Sequence, residues 1–212
     1  MFESFIKFVR ELYRTKEFIP LHRPYFLGNE KKYLSEAIDS TFVSSVGNSV
    51  GEFETKIAEY TGIKYAVAMV NGTAALHLAL KMAGVKRDTE VITQSLTFVA
   101  TCNAIDYCGA SPIFVDVNKN TASLDPSSLE SFLKKNCELR DDGLCWNKKN
   151  NKKVKACLPM HTFGLPAQLD EIKKICSDYN LILVEDAAES LGSFYKENHT
   201  GSAGLLSTLS FN

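Results

Sequence analysis

A short apolar run at residues 65–70 leads, through Asn71 and Gly72, straight into a segment rich in alanine and leucine. The run has the length and composition of a buried strand, and the segment after it has those of a helix. Such a junction leaves the first N–H groups of the helix unpaired at the sheet edge, where they bind anions and phosphate in particular. Taken alone, the segment is also compatible with an ordinary strand–helix junction.

The alternation of strand-like and helical patterns continues to the last residues. Further apolar runs lie at 90–93, 112–115, 154–159, 181–185 and 205–211, and helical patterns lie at 73–83, 97–107, 126–135 and 168–179. This order is typical of βαβ units and predicts an α/β fold with a mostly parallel sheet. The polar, lysine-rich stretch 136–153 favours a solvated loop or hairpin over a phosphate-binding patch.

The N-terminal third has a different pattern. Apolar residues recur at helical spacing within residues 1–15, which predicts an amphipathic helix. Two further helices are expected at 29–39, with Asn29 as a cap, and at 52–60. Between the first two helices, prolines interrupt an extended stretch at 19–26.

A second chemical signal follows the run at 181–184, which continues into Glu185-Asp186-Ala187-Ala188-Glu189. Ligands of open parallel sheets bind beyond the carboxyl ends of the strands. A carboxylate there would keep a basic ring nitrogen protonated, as the pyridine ring of pyridoxal phosphate requires. Asp186 is therefore a candidate partner of that nitrogen, with an ordinary surface carboxylate as the alternative.

Composition argues against several classes of protein. Lysine and arginine number 24 against 25 aspartate and glutamate residues, a formal net charge of −1, so no overall field attracts nucleic acid or membrane. No apolar run approaches the roughly 20 residues that cross a bilayer, and no secretory signal begins the chain. The six scattered cysteines indicate reduced thiols and a cytoplasmic protein. Neither cysteines nor histidines have the spacing of metal ligands, so no metal site is expected.

Several ordered motifs carry a family resemblance. They lie at residues 42–47, 70–76, 96–101, 159–166, 184–192 and 209–212. Through them the chain resembles the DegT/DnrJ/EryC1/StrS family of pyridoxal-phosphate-dependent sugar aminotransferases. Within that family it is most similar to the branch that aminates nucleotide-linked 4-keto N-acetyl sugars on the way to legionaminic acid and bacillosamine-type products.

The resemblance implies a fold and a reaction. The fold is the large domain of fold-type-I pyridoxal-phosphate enzymes, with residues 1–18 as an appended helix and 19–212 as the N-terminal part of that domain. The small C-terminal domain is expected to be absent. The reaction is transfer of an amino group, from glutamate, to a nucleotide-linked keto sugar by a homodimer. The loop at 44–48 resembles a segment near the active site of such dimers.

The resemblance also assigns cofactor contacts. It implies that Gly72, Thr73 and Ala74 bind the cofactor phosphate, together with Ser210. For Ser210, a polar residue that merely alternates on a strand is the other interpretation. Phe98 would lie against the cofactor ring, although the preceding Gln94-Ser95 replaces a lead-in that contains proline in relatives, and a core phenylalanine is the alternative.

Three further side chains receive roles in the same way. Asp186 would bind the ring nitrogen, and Glu189, three residues later, would lie near the phenolic oxygen of the cofactor. Because a carboxylate only accepts hydrogen bonds unless protonated, the contact of Glu189 is expected to be indirect. His161 would face the substrate, or else be a buried structural histidine.

The lysine that forms the Schiff base with the cofactor follows the Ser-Phe-Asn motif in this family, and the given sequence stops at Asn212. We therefore expect the chain to be inactive alone. A dehydratase of the same fold, in which histidine replaces that lysine, is one alternative. A non-catalytic remnant, or one half of a split protein, is another.

Overall fold

Five parallel strands form the main sheet of the computed structural model, which describes residues 2–20, 23–44 and 47–211. In spatial order they are β2 (Ser111–Val115), β1 (Thr89–Gln94), β5 (Lys152–Cys157), β6 (Ile182–Asp186) and β9 (Leu206–Thr208). The strands β3 (Cys137–Leu139) and β4 (Cys145–Asn147) form a hairpin that pairs antiparallel with the start of β5. The predicted α/β fold with a mostly parallel sheet is confirmed, and the polar stretch contains the hairpin.

Helices within residues 72–178 cover both faces of this sheet. The helices of the described chain are α1 (Glu3–Tyr13), α2 (Glu30–Asp39), α3 (Asn48–Thr61), α4 (Gly72–Met82), α5 (Val99–Tyr107), α6 (Pro126–Asn136) and α7 (Leu169–Asp178). Strand side chains alternate between the faces. Val184 therefore packs with residues of α4 and α5, whereas Leu183 packs with residues of α6 and α7. Residues 194–199 add a small hairpin, β7 (Phe194–Tyr195) with β8 (Asn198–His199).

The chain divides into two units, residues 1–49 and 50–212. In the first unit, α1 has the predicted amphipathic pattern, and its apolar residues Phe5 and Leu12 are exposed. Asn29 precedes α2 as predicted, but its side chain makes no capping bond because its backbone is not extended, with φ −93° and ψ 16°. The predicted domain bounds, 1–18 and 19–212, stay a prediction.

The strand predicted at residues 65–70 is wrong. The segment pairs with no strand of the described chain, and Val67 and Val70 are 73% and 86% exposed. The amide of Ala68 donates instead to a side chain, the Glu54 carboxylate, with an N–Oε1 distance of 2.8 Å. An apolar run becomes a strand only when a neighbouring strand accepts its backbone hydrogen bonds. The predicted helix after it does form, as α4.

The strand predicted at 205–211 is shorter than expected, since only Leu206–Thr208 pair with β6. All six cysteines are free thiols. Among residues 2–20, 23–44 and 47–211, no group of three or more acidic, histidine or cysteine side chains is arranged to hold a metal ion. No helix in that part of the chain combines the length and apolar character needed to cross a membrane.

Candidate functional site

The N-terminus of α4 presents free amides. Asn71 caps the helix, because its backbone is extended and its Oδ1 accepts the amide of Ala74 at 2.8 Å. The amide of Ala75 donates to the Asn71 carbonyl at 3.1 Å. Within the described chain, the amides of Gly72 and Thr73 have no hydrogen-bond acceptor. Two amides at the positive end of the helix dipole therefore point outward, which favours an anion there.

Gly72 lies directly beside Ser210, which the chain reaches at the end of β9. A Cβ atom on Gly72 would stand 3.3 Å from the Ser210 Cβ and 3.4 Å from its Oγ. The first distance is tighter than an ordinary contact and the second is at its lower limit, so any side chain at position 72 would press on Ser210. The Ser210 hydroxyl and the free amides of Gly72 and Thr73 thus lie close together at the sheet edge.

Asp186 ends β6 on the sheet face that α4 and α5 cover. Its Oδ2 accepts the hydroxyl of Thr101 at 2.7 Å, and its Oδ1 accepts the amide of Ala188 at 3.2 Å. Burial raises the pKa of the Asp186 carboxyl, and the hydrogen bonds from Thr101 and Ala188 partly oppose that effect. A buried carboxylate with this little solvation gains free energy from a cationic partner.

Phe98 is the residue before α5 and lies beside the same site. Its amide contacts the Sδ of Met160 at 3.4 Å, and Met160 forms a parallel bridge with Asp186. The ring itself is 66% exposed. The alternative of a core phenylalanine is therefore wrong, and the exposed ring offers a flat apolar surface.

Glu189 holds a tight turn at Phe163 and Gly164. Its Oε2 accepts the amide of Phe163 at 2.7 Å. Phe163 has a left-handed backbone with φ 56°, and Gly164 follows with φ 77°. A Cβ on Gly164 would stand 3.1 Å from the Glu189 carbonyl oxygen, so the turn needs glycine there. Glu189 thus fixes the backbone of a neighbouring turn.

His161 is fully buried. Its Nδ1 accepts the amide of Ala167 at 3.1 Å, so its Nε2 carries the proton and donates to Glu185 Oε2 at 3.0 Å. Both ring nitrogens are therefore used inside the protein. This geometry corrects the expectation that His161 faces the substrate and matches the structural alternative.

Glu185 is the second partner in that buried pair. Besides His161, its carboxylate accepts the amides of Gly201, Ala203 and Gly204 at 2.9, 2.8 and 2.6 Å. Burial alone would raise the pKa of Glu185, but the hydrogen bonds from His161 and from these amides outweigh it and hold the pKa below its ordinary value. The loop that leads into β9 and on to Ser210 is thereby fastened to the end of β6.

Thr208 is the register partner of Asp186 in the parallel pair β6–β9. The two side chains therefore point to the same face of the sheet. The Thr208 Oγ1 atom is buried and has no hydrogen-bond partner in the described chain. A buried hydroxyl without a partner is uncommon, so Thr208 adds an unused polar atom on the face of the sheet edge that carries Asp186.

The arrangement therefore combines three parts: an anion cradle formed by the amides of Gly72 and Thr73 with the Ser210 hydroxyl, the buried carboxylate of Asp186, and the exposed ring of Phe98. They lie at the carboxyl edge of one parallel sheet, which is the usual ligand position of such folds. A family model described as the DegT/DnrJ/EryC1/StrS aminotransferase family matches residues 26–212. The chain belongs to this family.

Named relatives agree with that assignment. The chain is 39% identical to the GDP-perosamine synthase of Escherichia coli O157:H7, over 92% of this chain and 49% of that protein. It is 33% identical to the spore coat polysaccharide biosynthesis protein SpsC of Bacillus subtilis, over 93% of this chain and 46% of that protein. The X-ray structure of the aminotransferase from Psychrobacter cryohalolentis superposes with a TM-score of 0.78 at 32% identity, over 92% of this chain and 45% of that one.

The chain thus spans about half the length of the family members it matches. The large-domain fold expected from the motifs is confirmed by the structural neighbour. The loop predicted near a dimer active site includes Ser45 and Val46, which lie outside the described residues.

Several residues of the site were not predicted. Asn71 could have been found as an N-cap, because asparagine before a helix is a common cap. Gln94 replaces the expected proline lead-in and is buried, where its Oε1 accepts the amides of Leu124 and Met160 at 2.7 and 3.2 Å. Thr101 and Glu185 carry no local sequence signal, because their partners are distant in the chain.

Proposed function

We propose that this chain forms the cofactor-binding part of a pyridoxal-phosphate-dependent aminotransferase that acts on nucleotide-linked keto sugars. The observation that carries the proposal is the placement of Asp186 and of the free amides of Gly72 and Thr73, with Ser210, at one edge of one sheet. Because the chain spans about half of its relatives, the activity is proposed for a protein that includes the remainder.

The residues present fit the cofactor. The amides of Gly72 and Thr73 and the Ser210 hydroxyl would bind its phosphate, and the close approach of Gly72 to Ser210 keeps these donors together. Ala74, which the resemblance also implies, would support the cradle through its bond to Asn71, since its amide is already paired. The partnerless hydroxyl of Thr208 adds a polar atom on the same face.

Asp186 would hold a proton on the ring nitrogen. When bound, pyridoxal phosphate supplies an electron-withdrawing ring that accepts the electron pair left on the reacting carbon. The Asp186 carboxylate favours the protonated nitrogen, because opposite charges stabilise each other strongly where solvent is excluded.

Two other side chains would shape the ring site. Phe98 would stack on one face of the ring and keep water from it. Glu189 would act indirectly, by fixing the Phe163–Gly164 turn through the Phe163 amide, and not by a bond to the phenolic oxygen.

Similarity supports the substrate class. The name of the Escherichia coli relative, a GDP-perosamine synthase, contains a nucleotide-linked amino sugar, and that of SpsC contains polysaccharide biosynthesis. The narrower assignment to the legionaminic-acid and bacillosamine branch stays a prediction. So do glutamate as the amino donor, the homodimer and the cytoplasmic location. The names of the relatives support amination over the dehydratase alternative.

Binding of pyridoxamine 5′-phosphate to the 212-residue chain tests the proposal, because this form of the cofactor needs no lysine. Calorimetry on the wild type should detect binding, and Asp186→Asn and Gly72→Val should each weaken it at least about tenfold. Asp178→Asn is the matched control, because Asp178 is an exposed carboxylate on α7 and should leave the affinity unchanged. Equal affinities in all four proteins would overturn the proposal.

A further inference from the structure

Thr101 lies in the first turn of α5 and is fully buried. Its hydroxyl is 2.7 Å from Asp186 Oδ2. A threonine hydroxyl has one proton, and an ionised carboxylate can only accept. The direction of the bond is therefore fixed, with Thr101 as the donor in a short, charge-assisted hydrogen bond.

A second threonine supports this donor. Thr97 Oγ1 lies 2.6 Å from Thr101 Oγ1 and 3.0 Å from the Met160 sulfur, which is the weaker acceptor. Because the Thr101 proton is committed to Asp186, Thr97 must donate to Thr101. Thr97 therefore donates to Thr101, and Thr101 donates to the Asp186 carboxylate.

These bonds restrict the orientation of Asp186. One carboxylate oxygen is held by Thr101 and the other by the amide of Ala188 at 3.2 Å. Each oxygen retains a second lone pair, so the carboxylate has room for a further donor on either oxygen. The titratable groups that act on Asp186 are His161 and Glu189, and neither bonds to Thr101.

We propose that Thr101 is a positioning residue for Asp186, whose carboxylate it holds in a fixed plane with a lone pair available for the ring nitrogen of the cofactor. The part of this inference that concerns the ring nitrogen rests on the proposed function, whereas the part that concerns the carboxylate does not. Thr101 itself would make no contact with the cofactor.

Three variants separate positioning from packing. Thr101→Val removes the hydroxyl at nearly constant volume, and Thr101→Ser keeps it. Thr93→Val is the matched control, because Thr93 is also fully buried and its hydroxyl donates to the Leu158 carbonyl at 2.8 Å, away from Asp186. Thr101→Ala takes the place of Thr101→Val if valine prevents folding.

The first measurement is the titration of the Asp186 carboxyl carbon by NMR in the chain without cofactor, with the signal assigned by its loss in Asp186→Asn. Removal of a hydrogen bond to the charged form makes ionisation harder. Thr101→Val should therefore move the midpoint to higher pH, whereas Thr101→Ser and Thr93→Val should keep the wild-type midpoint. An unchanged midpoint in Thr101→Val, or the same shift in Thr93→Val, would overturn the inference.

The second measurement compares pyridoxamine 5′-phosphate with the analogue in which a C–H group replaces the ring nitrogen. The wild type should prefer the nitrogen-containing compound, and Thr101→Val should reduce that preference about tenfold while Thr93→Val preserves it. A preference unchanged by Thr101→Val would overturn the ring-nitrogen part. If the wild type binds both compounds equally, the proposed function fails, and the titration alone decides the role of Thr101.

Discussion

Glu185 and Asp186 are adjacent at the end of β6 and both are buried, yet their side chains project to opposite faces of the sheet. Glu185 accepts four hydrogen bonds, one from His161 and three from amides of the loop 201–204. Asp186 accepts two, from Thr101 and Ala188. The pKa of Glu185 is consequently lowered by its partners, whereas burial raises that of Asp186.

The difference separates a structural carboxylate from one available for a ligand. A carboxylate has about four lone-pair sites. On Glu185 these sites are filled by groups of the protein, so its charge stabilises the fold. On Asp186 about half of these sites remain open. Burial destabilises its ionised form, and a bound cation would offset that loss of free energy. Adjacent positions in one motif thus serve stability and binding respectively.

Truncation of Glu185 should have the largest effect. Glu185→Ala leaves three amides and the His161 ring without their acceptor, and we expect the free energy of unfolding to fall by about 3–5 kcal/mol in urea titrations. Asp186→Ala is the matched control at a neighbouring buried carboxylate. It leaves only the Thr101 hydroxyl and the Ala188 amide without an acceptor and removes a charge that burial destabilises, so we expect a smaller loss, of about 1–2 kcal/mol. Equal losses from the two variants would contradict the distinction.

Truncation of His161 should have an intermediate effect. His161→Leu leaves the Ala167 amide unpaired and removes one donor from Glu185, so we expect a loss of about 1–3 kcal/mol. His77 on α4 is half-buried, and its ring lies edge-on to the Tyr107 ring, so His77→Leu should change stability by less than about 0.5 kcal/mol. If His161→Leu weakened pyridoxamine phosphate binding while stability stayed unchanged, a direct ligand contact would replace the structural role.

The two carboxylates should also give opposite pH dependences. Because the pKa of Glu185 is lowered from 4.5, its contribution to stability is present above pH 4.5 and is lost as the pH falls below that value. Because the pKa of Asp186 is raised from 3.8, its ionisation costs stability as the pH rises above that value.

Paired variants test these signs. Asp186→Asn should be more stable than the wild type at neutral pH, with the gain disappearing in acid. Glu185→Gln should be less stable at neutral pH, with the loss shrinking in acid. Unfolding free energies measured across the acidic range check both, and the same sign for the two variants would contradict the assignment.

The sequence predicted Asp186 and not Glu185 because only one of the two follows from a local rule. An acidic residue after a strand in an α/β fold lies at the ligand edge, which is enough to nominate Asp186. The role of Glu185 depends on His161, 24 residues earlier, and on amides 16 to 19 residues later. No local pattern contains those partners, and the same holds for Thr101.

The fold was predicted where burial and periodicity agreed. The runs at 90–93 and 181–185 became strands because each is paired on both sides. The run at 65–70 has the same local composition but no strand partner in the described chain, and its valines are exposed. Composition measures the propensity of a segment to form a strand, whereas the neighbouring segments determine whether it does.

The smallest expected effect concerns Thr208 on the Asp186 face. Its hydroxyl is buried without a partner in the described chain, so Thr208→Val should leave stability unchanged or raise it by up to about 1 kcal/mol. Thr200→Val is the matched comparison beside the Glu185 loop, because the Thr200 hydroxyl donates to the Ser190 carbonyl at 2.9 Å. That variant should lose about 1 kcal/mol in the same urea titration. A comparable loss in Thr208→Val would mean that the Asp186 face is as fully bonded as the Glu185 face, and the contrast between them would then be confined to the two carboxylates.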